Sequence, residues 1–101
     1  MEAATDLTIE RSFVADWNLE AIVWEPREYD QAIVGVVQRC GSEPLAVYDY
    51  EKLVEVTMEL SDSDGEADPY LAAAEYVDFN IVGAYVGEGT PMTLWKPLRS
   101  D

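Results

Sequence analysis

Acidic side chains outnumber basic ones by 21 to 6 in this chain of 101 residues, and this imbalance strongly restricts how the chain can fold. With a formal net charge of −15, most carboxylates lack a cationic partner and must stay on the surface, because burying an unpaired charge is costly. Hydrophobic residues still make up 49% of the chain, which is enough to offset the entropy lost on folding. The length is typical of one domain, so we predict a single domain over residues 1–101.

The composition also excludes several classes of function. Binding of nucleic acids and anionic membranes depends on Lys and Arg, which are scarce here. The chain has no His, and Cys40 is its single cysteine, so His-dependent catalysis, His-ligated zinc, thiolate clusters and an intrachain disulfide are all excluded. We therefore predict no enzyme activity, cofactor or metal. An acidic N-terminus and the absence of a long apolar run predict a cytoplasmic protein with no membrane partner.

Short β-branched and aromatic runs in the first half predict strands. Residues 19–24 form one such run, which Pro26 ends. Residues 32–38 suit either a buried strand or a helix, and we favour the strand. Residues 45–48 can then return antiparallel through the connection at residues 40–44, which contains Gly and Pro.

Two helices are predicted in the second half. Asp49 is placed to cap a helix through Leu60, whose apolar residues repeat every three or four positions. Asp68 and Pro69 are typical of the start of a second helix, which we expect to continue to Val86. Gly87 is the expected terminator of that helix. Its expected inward face comprises Tyr70, Ala74, Val77, Ile81 and Ala84.

The predicted fold is therefore a small α+β domain, in which short antiparallel strands pack with two helices. The weakly patterned ends, residues 1–18 and 92–101, are expected to be partly mobile. Most aromatic residues occur within apolar runs and are expected in the core. They are Trp17, Trp24, Tyr50, Tyr70 and Phe79.

Four strings between residues 29 and 92 carry a family resemblance. They are YDQAIVG from Tyr29, VYDYEKL from Val47, AEYVDFN from Ala74 and GAYVGEGTP from Gly83. In these strings the chain resembles a group of small uncharacterised acidic proteins of phages and bacteria. The resemblance implies a small soluble protein of phage or bacterial type, and it implies no catalytic residue. It does not extend to the first 28 residues.

Two motifs resemble ligand-binding loops but fail on spacing or order. The carboxylates at positions 62, 64, 66 and 68 alternate as in a calcium loop, but aligning Gly65 with the invariant EF-hand glycine puts leucines at both outer ligand positions. A solvated loop that caps the next helix is the simpler interpretation. Residues 87–91 contain two glycines as a phosphate loop does, yet they follow a helix, lack Lys and include Glu88.

The acidic charge is concentrated in the second half of the chain. Between Cys40 and Pro91 there are 12 acidic residues and a single basic one, Lys52. Three of the acids recur every fourth residue and would form a row of like charges on a helix, which lowers helix stability. Solubility alone could favour such a surface, and so could a partner. The predicted partner-binding residues are Glu51, Glu55, Glu59, Asp62, Asp64 and Glu66.

These observations lead to two functional hypotheses. The first is a non-enzymatic acidic interaction protein that occupies a basic groove of a nucleic-acid-binding or defence protein, as a nucleic-acid mimic would, with phage-type proteins acting in the host cytoplasm. The second is a small structural or accessory protein that self-associates, as a homodimer for example, through apolar residues near Trp95. The first hypothesis predicts that binding to the partner weakens as salt is added. The second predicts that the apparent molecular mass rises with protein concentration.

Overall fold

The computed structural model describes residues 10–61 and 68–96, and it confirms a small α+β domain. Within these residues the chain forms three α-helices, a three-stranded sheet, one 3-10 helix and one π-helical segment. In chain order these are α1 (Arg11–Trp17), the 3-10 helix (Arg27–Ala32), β1 (Ile33–Val37), β2 (Leu45–Asp49), α2 (Tyr50–Leu60), α3 (Pro69–Val77), the π-helical segment (Asp78–Val82) and β3 (Met92–Leu94).

The sheet has the order β1-β2-β3, with β2 in the centre. β1 and β2 form the predicted antiparallel hairpin, in which Val37 pairs with Leu45 and a bulge lies between Ile33 and Gly35. The favoured strand interpretation of residues 32–38 is therefore confirmed. β3 pairs parallel with β2, from Val47 and Met92 to Asp49 and Leu94, and this strand was not predicted.

Both predicted helix starts are confirmed. The Asp49 carboxylate accepts a hydrogen bond from the Lys52 backbone N–H at 3.1 Å and caps α2. Asp68 accepts from the Leu71 backbone N–H at 3.1 Å and caps α3, with Pro69 in the first turn. α2 buries Leu53, Val54 and Thr57 of its apolar stripe together with Val56, and it packs against α3 and the 3-10 helix.

The core lies between α2, the hairpin and the inner side of α3. Its largest fully buried side chains come from α1, β2, α2 and α3, and Tyr29 of the 3-10 helix joins them. The Tyr29 hydroxyl lies 2.6 Å from the Thr57 hydroxyl, which satisfies two polar groups inside the core. The largest fully buried side chains are those of Val14, Tyr48, Leu53, Val54, Val56 and Val77.

The predicted strand at residues 19–24 is wrong. Leu19 and Glu20 form a turn, and residues 21–24 have no regular structure. The Ile22 N–H donates to the Gly89 carbonyl at 3.0 Å, and the Trp24 N–H donates to the Tyr48 hydroxyl at 2.9 Å. The β-branched pattern predicts a strand, but these backbone groups bond to a loop and to a side chain in place of a strand ladder.

The predicted end of the second helix is also wrong. α3 ends at Val77, and the backbone widens into the π-helical segment before Gly83, whose N–H donates to the Asp78 carbonyl at 3.1 Å. Tyr85 and Val86 are exposed, so no core contact supports a longer helix. Gly87 has a φ of +125° and begins a turn in which Thr90 N–H donates to its carbonyl, instead of ending the helix.

The expected aromatic core is only partly present. Trp24 and Tyr50 are half-buried, whereas Trp17, Tyr70 and Phe79 are exposed, Phe79 by 85%. Tyr70 therefore does not belong to the inward face of α3, and Ala73 takes that position. Apolar surface therefore remains open beside the acidic residues. Within the described residues, no helix has the length and apolar character needed to cross a bilayer.

Candidate functional site

The exposed side of α2 carries three of the six predicted partner-binding residues. Glu51, Glu55 and Glu59 are all exposed. They lie at successive fourth positions and so form a row with a rise of about 6 Å between neighbours. The other three, Asp62, Asp64 and Glu66, lie outside the described residues, as does most of the loop that resembles a calcium site.

Two carboxylates accept hydrogen bonds from tyrosine hydroxyls, and one of them, Glu51, is the first residue of this row. The Tyr70 hydroxyl on α3 donates to Glu51 Oε1 at 2.8 Å. The Tyr50 hydroxyl donates to Asp78 Oδ1, also at 2.8 Å. Both bonds join α2 to α3 or to the π-helical segment that follows it. The two acids are therefore more restricted in position than a solvated side chain would be.

These tyrosines act as donors at neutral pH. Burial raises the pKa of Tyr50 to about 12, and its hydrogen bond to Asp78 contributes to the same shift. The hydrogen bond to Glu51 raises the pKa of Tyr70. A tyrosinate that could serve as a base or nucleophile is thus disfavoured, and the arrangement orients acids instead.

An aromatic stack adjoins the two carboxylates. The rings of Tyr50 and Trp95 are stacked with centroids 5.0 Å apart and an interplanar angle of 24°. Trp95 follows β3 directly and remains 55% exposed. We call the five residues Tyr50, Glu51, Tyr70, Asp78 and Trp95 the acidic-aromatic surface, which Glu55 and Glu59 extend along α2.

Two lysines border this surface. Lys52 Nζ lies 3.3 Å from Glu55 Oε1, an exposed pair of the kind that contributes little to stability. Lys96 Nζ lies 3.7 Å from Asp49 Oδ1, an atom that is buried and forms no hydrogen bond with the described residues. Lys96 therefore offsets the charge of Asp49, the residue that caps α2. Glu51 and Asp78 keep their hydrogen bonds to tyrosine hydroxyls.

This arrangement of carboxylates and aromatic rings is better suited to binding a cation than to catalysing a reaction. A carboxylate can accept several hydrogen bonds, so Glu51 and Asp78 can each accept another donor in addition to a tyrosine hydroxyl. A guanidinium group can pair with a carboxylate and stack on an exposed indole such as Trp95. Within residues 10–61 and 68–96, no group of three or more acidic or cysteine side chains is arranged to hold a metal ion.

Spacing along the sequence predicts the exposed row of Glu51, Glu55 and Glu59 but not its aromatic neighbours. Apolar patterning places Tyr50 and Tyr70 in the core, Trp95 is indicated only for self-association, and no pattern points to Asp78. The adjacency of Tyr50 and Glu51 does not reveal these contacts, because neighbouring residues on a helix do not face each other. The contacts of Tyr50 and Tyr70 span 28 and 19 positions, which spacing alone does not reveal.

Comparison with known proteins does not assign the chain to a family. No family model, curated protein or solved structure matches the chain. The resemblance of residues 29–92 to small phage and bacterial proteins therefore stays a prediction.

Proposed function

We propose that this protein is a non-enzymatic interaction protein whose acidic-aromatic surface binds a basic groove on a partner protein. The observation that carries this proposal is the pair of hydrogen bonds from Tyr70 to Glu51 and from Tyr50 to Asp78. Carboxylates that are already oriented lose less freedom on binding than mobile ones, so part of the entropic cost of association is avoided.

Charge supports the choice of partner. A chain with a net charge of −15 repels nucleic acids and anionic membranes, and it attracts a basic protein over distances of about a Debye length. Association would be fast and sensitive to salt. Within this proposal, the partner is a nucleic-acid-binding or defence protein, and the row of Glu51, Glu55 and Glu59 takes the place of backbone phosphates. The phage-type resemblance is consistent with action in a host cytoplasm.

The proposal is tested by affinity capture from bacterial lysate at low and moderate salt. The test variant is Glu51→Gln/Glu55→Gln, which keeps an acceptor for Tyr70 and removes two charges from the surface. The matched control is Glu10→Gln/Glu28→Gln, which removes two exposed charges elsewhere. We expect wild type and control to retain a basic protein at low salt, and the test variant to retain about tenfold less. Equal retention by both variants would contradict the proposal.

Nucleic-acid mimicry needs a separate measurement. Duplex DNA or structured RNA is added to the captured complex at constant ionic strength. Release of the partner by either competitor indicates that the protein occupies the nucleic-acid site. A partner that stays bound when it is saturated with nucleic acid would contradict mimicry while leaving the interaction itself intact.

Self-association is the alternative proposal, and the exposure of Trp95 favours it. An exposed apolar strip runs along β3 and comprises Met92, Leu94 and Trp95. Such strips are common at subunit contacts. Light scattering over a range of concentrations tests this alternative. A dimer that Trp95→Ala dissociates would support it, and a monomer at every concentration would exclude it.

A further inference from the structure

A second open surface lies away from the acidic-aromatic surface. It is a groove of about 1180 Å³ between three segments, namely residues 15–20 at the end of α1, residues 41–45 before and at the start of β2, and residues 85–92 before and at the start of β3. The groove begins beside Leu45, and β2 leads from there to Tyr50 at the other surface. At about 3.3 Å per residue, these two points are about 17 Å apart.

Hydrogen bonds between the segments hold the walls of the groove in place. The Asn18 side-chain amide donates to the Pro44 carbonyl at 3.0 Å, which ties α1 to the hairpin connection. The Ile22 N–H donates to the Gly89 carbonyl at 3.0 Å. A Cβ atom at position 89 would lie only 2.9 Å from the Glu20 carbonyl oxygen, so the two walls approach each other as closely as glycine allows.

The chemistry of the groove is apolar and acidic at once. Leu19 is 86% exposed and Tyr85 is 75% exposed, and Trp17 and Met92 also present large apolar surfaces there. Side chains of this size are not normally left open to water in one place. None of the described residues that line the groove is basic, and four are acidic. These are Asp16, Glu20, Glu43 and Glu88.

We propose that this groove binds an extended segment of a partner protein in which basic residues (Arg or Lys) and apolar residues take turns at every second position, so that both kinds of side chain project from one face. Apolar side chains of the segment cover Leu19, Tyr85 and Met92, and its cations lie beside the four carboxylates and the Trp17 ring. Charge complementarity selects this occupant over a second copy of the chain, since two molecules of charge −15 repel each other. The inference does not depend on the function proposed for the acidic-aromatic surface.

The three tryptophans provide separate reporters for a binding experiment. Trp17 lines the groove, Trp95 lies on the acidic-aromatic surface, and the Trp24 indole nitrogen is buried. The probe is an end-capped synthetic peptide of about ten residues, in which Arg and Leu recur with Ser spacers and which spans about 33 Å when extended. Titration is followed by the indole signals in ¹H–¹⁵N spectra. We expect the Trp17 signal to shift at a lower peptide concentration than the Trp95 signal, while the Trp24 signal stays in place.

Matched variants and a matched peptide make the test decisive. Asp16→Asn/Glu88→Gln should weaken peptide binding about tenfold, and Glu51→Gln/Glu55→Gln should change it by less than about twofold. Leu19→Ser, which removes exposed apolar surface only, should also weaken binding. A peptide with Gln in place of Arg should bind about tenfold more weakly to the wild type.

Several results would overturn the proposal. These are no shift with the Arg peptide, a shift at Trp95 without one at Trp17, equal loss in both double variants, or equal binding of the Gln peptide. Because the two double variants report on different surfaces, failure at the groove is distinguishable from failure of the proposed function.

Discussion

Arg11 and Asp30 form an ion pair that attaches α1 to the 3-10 helix. Arg11 Nε lies 3.0 and 2.9 Å from the two Asp30 oxygens, and the Asp30 side chain is 8% exposed. These bonds, and that to Glu25, raise the pKa of Arg11. Asp30→Asn leaves a largely buried cation without its main partner, so we expect a loss of about 3 kcal/mol in the free energy of unfolding, measured by urea titration.

The control for this prediction is the other carboxylate that Arg11 contacts. Glu25 Oε2 lies 2.8 Å from Arg11 Nη1, but its side chain is 70% exposed. Glu25→Gln should therefore lower the free energy of unfolding by no more than about 1 kcal/mol. Equal losses in the two variants would show that the burial of Asp30 has no special effect.

Raised tyrosine pKa values predict a loss of stability in alkali. The ordinary tyrosine pKa is 10.0, and burial raises the pKa values of Tyr48 and Tyr50 to about 12 in the folded protein. The folded state therefore keeps these protons when the unfolded chain has released them. Stability from this source is fully present below pH 10 and is lost as the pH rises towards 12. Urea titrations at increasing pH should show this fall.

Asp78→Asn separates the contribution of Tyr50 from that of Tyr48. The substitution removes the carboxylate that accepts the Tyr50 hydroxyl, so the Tyr50 pKa should move back towards its ordinary value. The alkaline fall in stability should become shallower, because Tyr48 alone retains its full shift. An unchanged pH profile would mean that Asp78 does not influence Tyr50.

At the scale of single elements, the helix caps allow a direct test. Asp68 is exposed and accepts the Leu71 N–H at the start of α3. Asp68→Ala removes that acceptor together with a favourable negative charge, and should lower the free energy of unfolding by about 1 kcal/mol. Asp68→Asn keeps an acceptor and should cost much less. The two urea midpoints should differ, and identical midpoints would contradict capping by this side chain.

The elements also show which features a sequence can predict. The hairpin, α2 and the start of α3 follow from signals within a few residues, such as β-branched runs, apolar periodicity and capping Asp residues. β3 has only three residues, and α2 and α3 separate it in the chain from its pairing partner Val47. α1 depends on Arg11 meeting Asp30, 19 positions later. Glu51, Glu55 and Glu59 are predictable from spacing, whereas Asp78 and the tyrosine contacts depend on how α2 meets α3 and the π-helical segment.

For the whole molecule, the charge of −15 predicts that salt stabilises the fold. Compactness brings like charges together, and added ions screen their repulsion. The Tm should rise by about 5 °C between about 20 mM and about 0.5 M sodium chloride. Glu51→Gln/Glu55→Gln should show a smaller rise, and a neutral osmolyte such as sucrose should not distinguish this variant from wild type. A Tm that is independent of salt would contradict the prediction.

β3 contributes to both open surfaces, so its detachment would affect both of them. Met92 at its start lines the groove, and Trp95 just after its end stacks on Tyr50. Detachment of this short strand would dismantle both surfaces together, and short edge strands are among the first elements to open. To the extent that the detached state is populated, a ligand that requires β3 in place at one end favours binding at the other, and the effect is reciprocal. Such cooperativity would need no change in the folded structure, and slower hydrogen exchange at Thr93 would measure it.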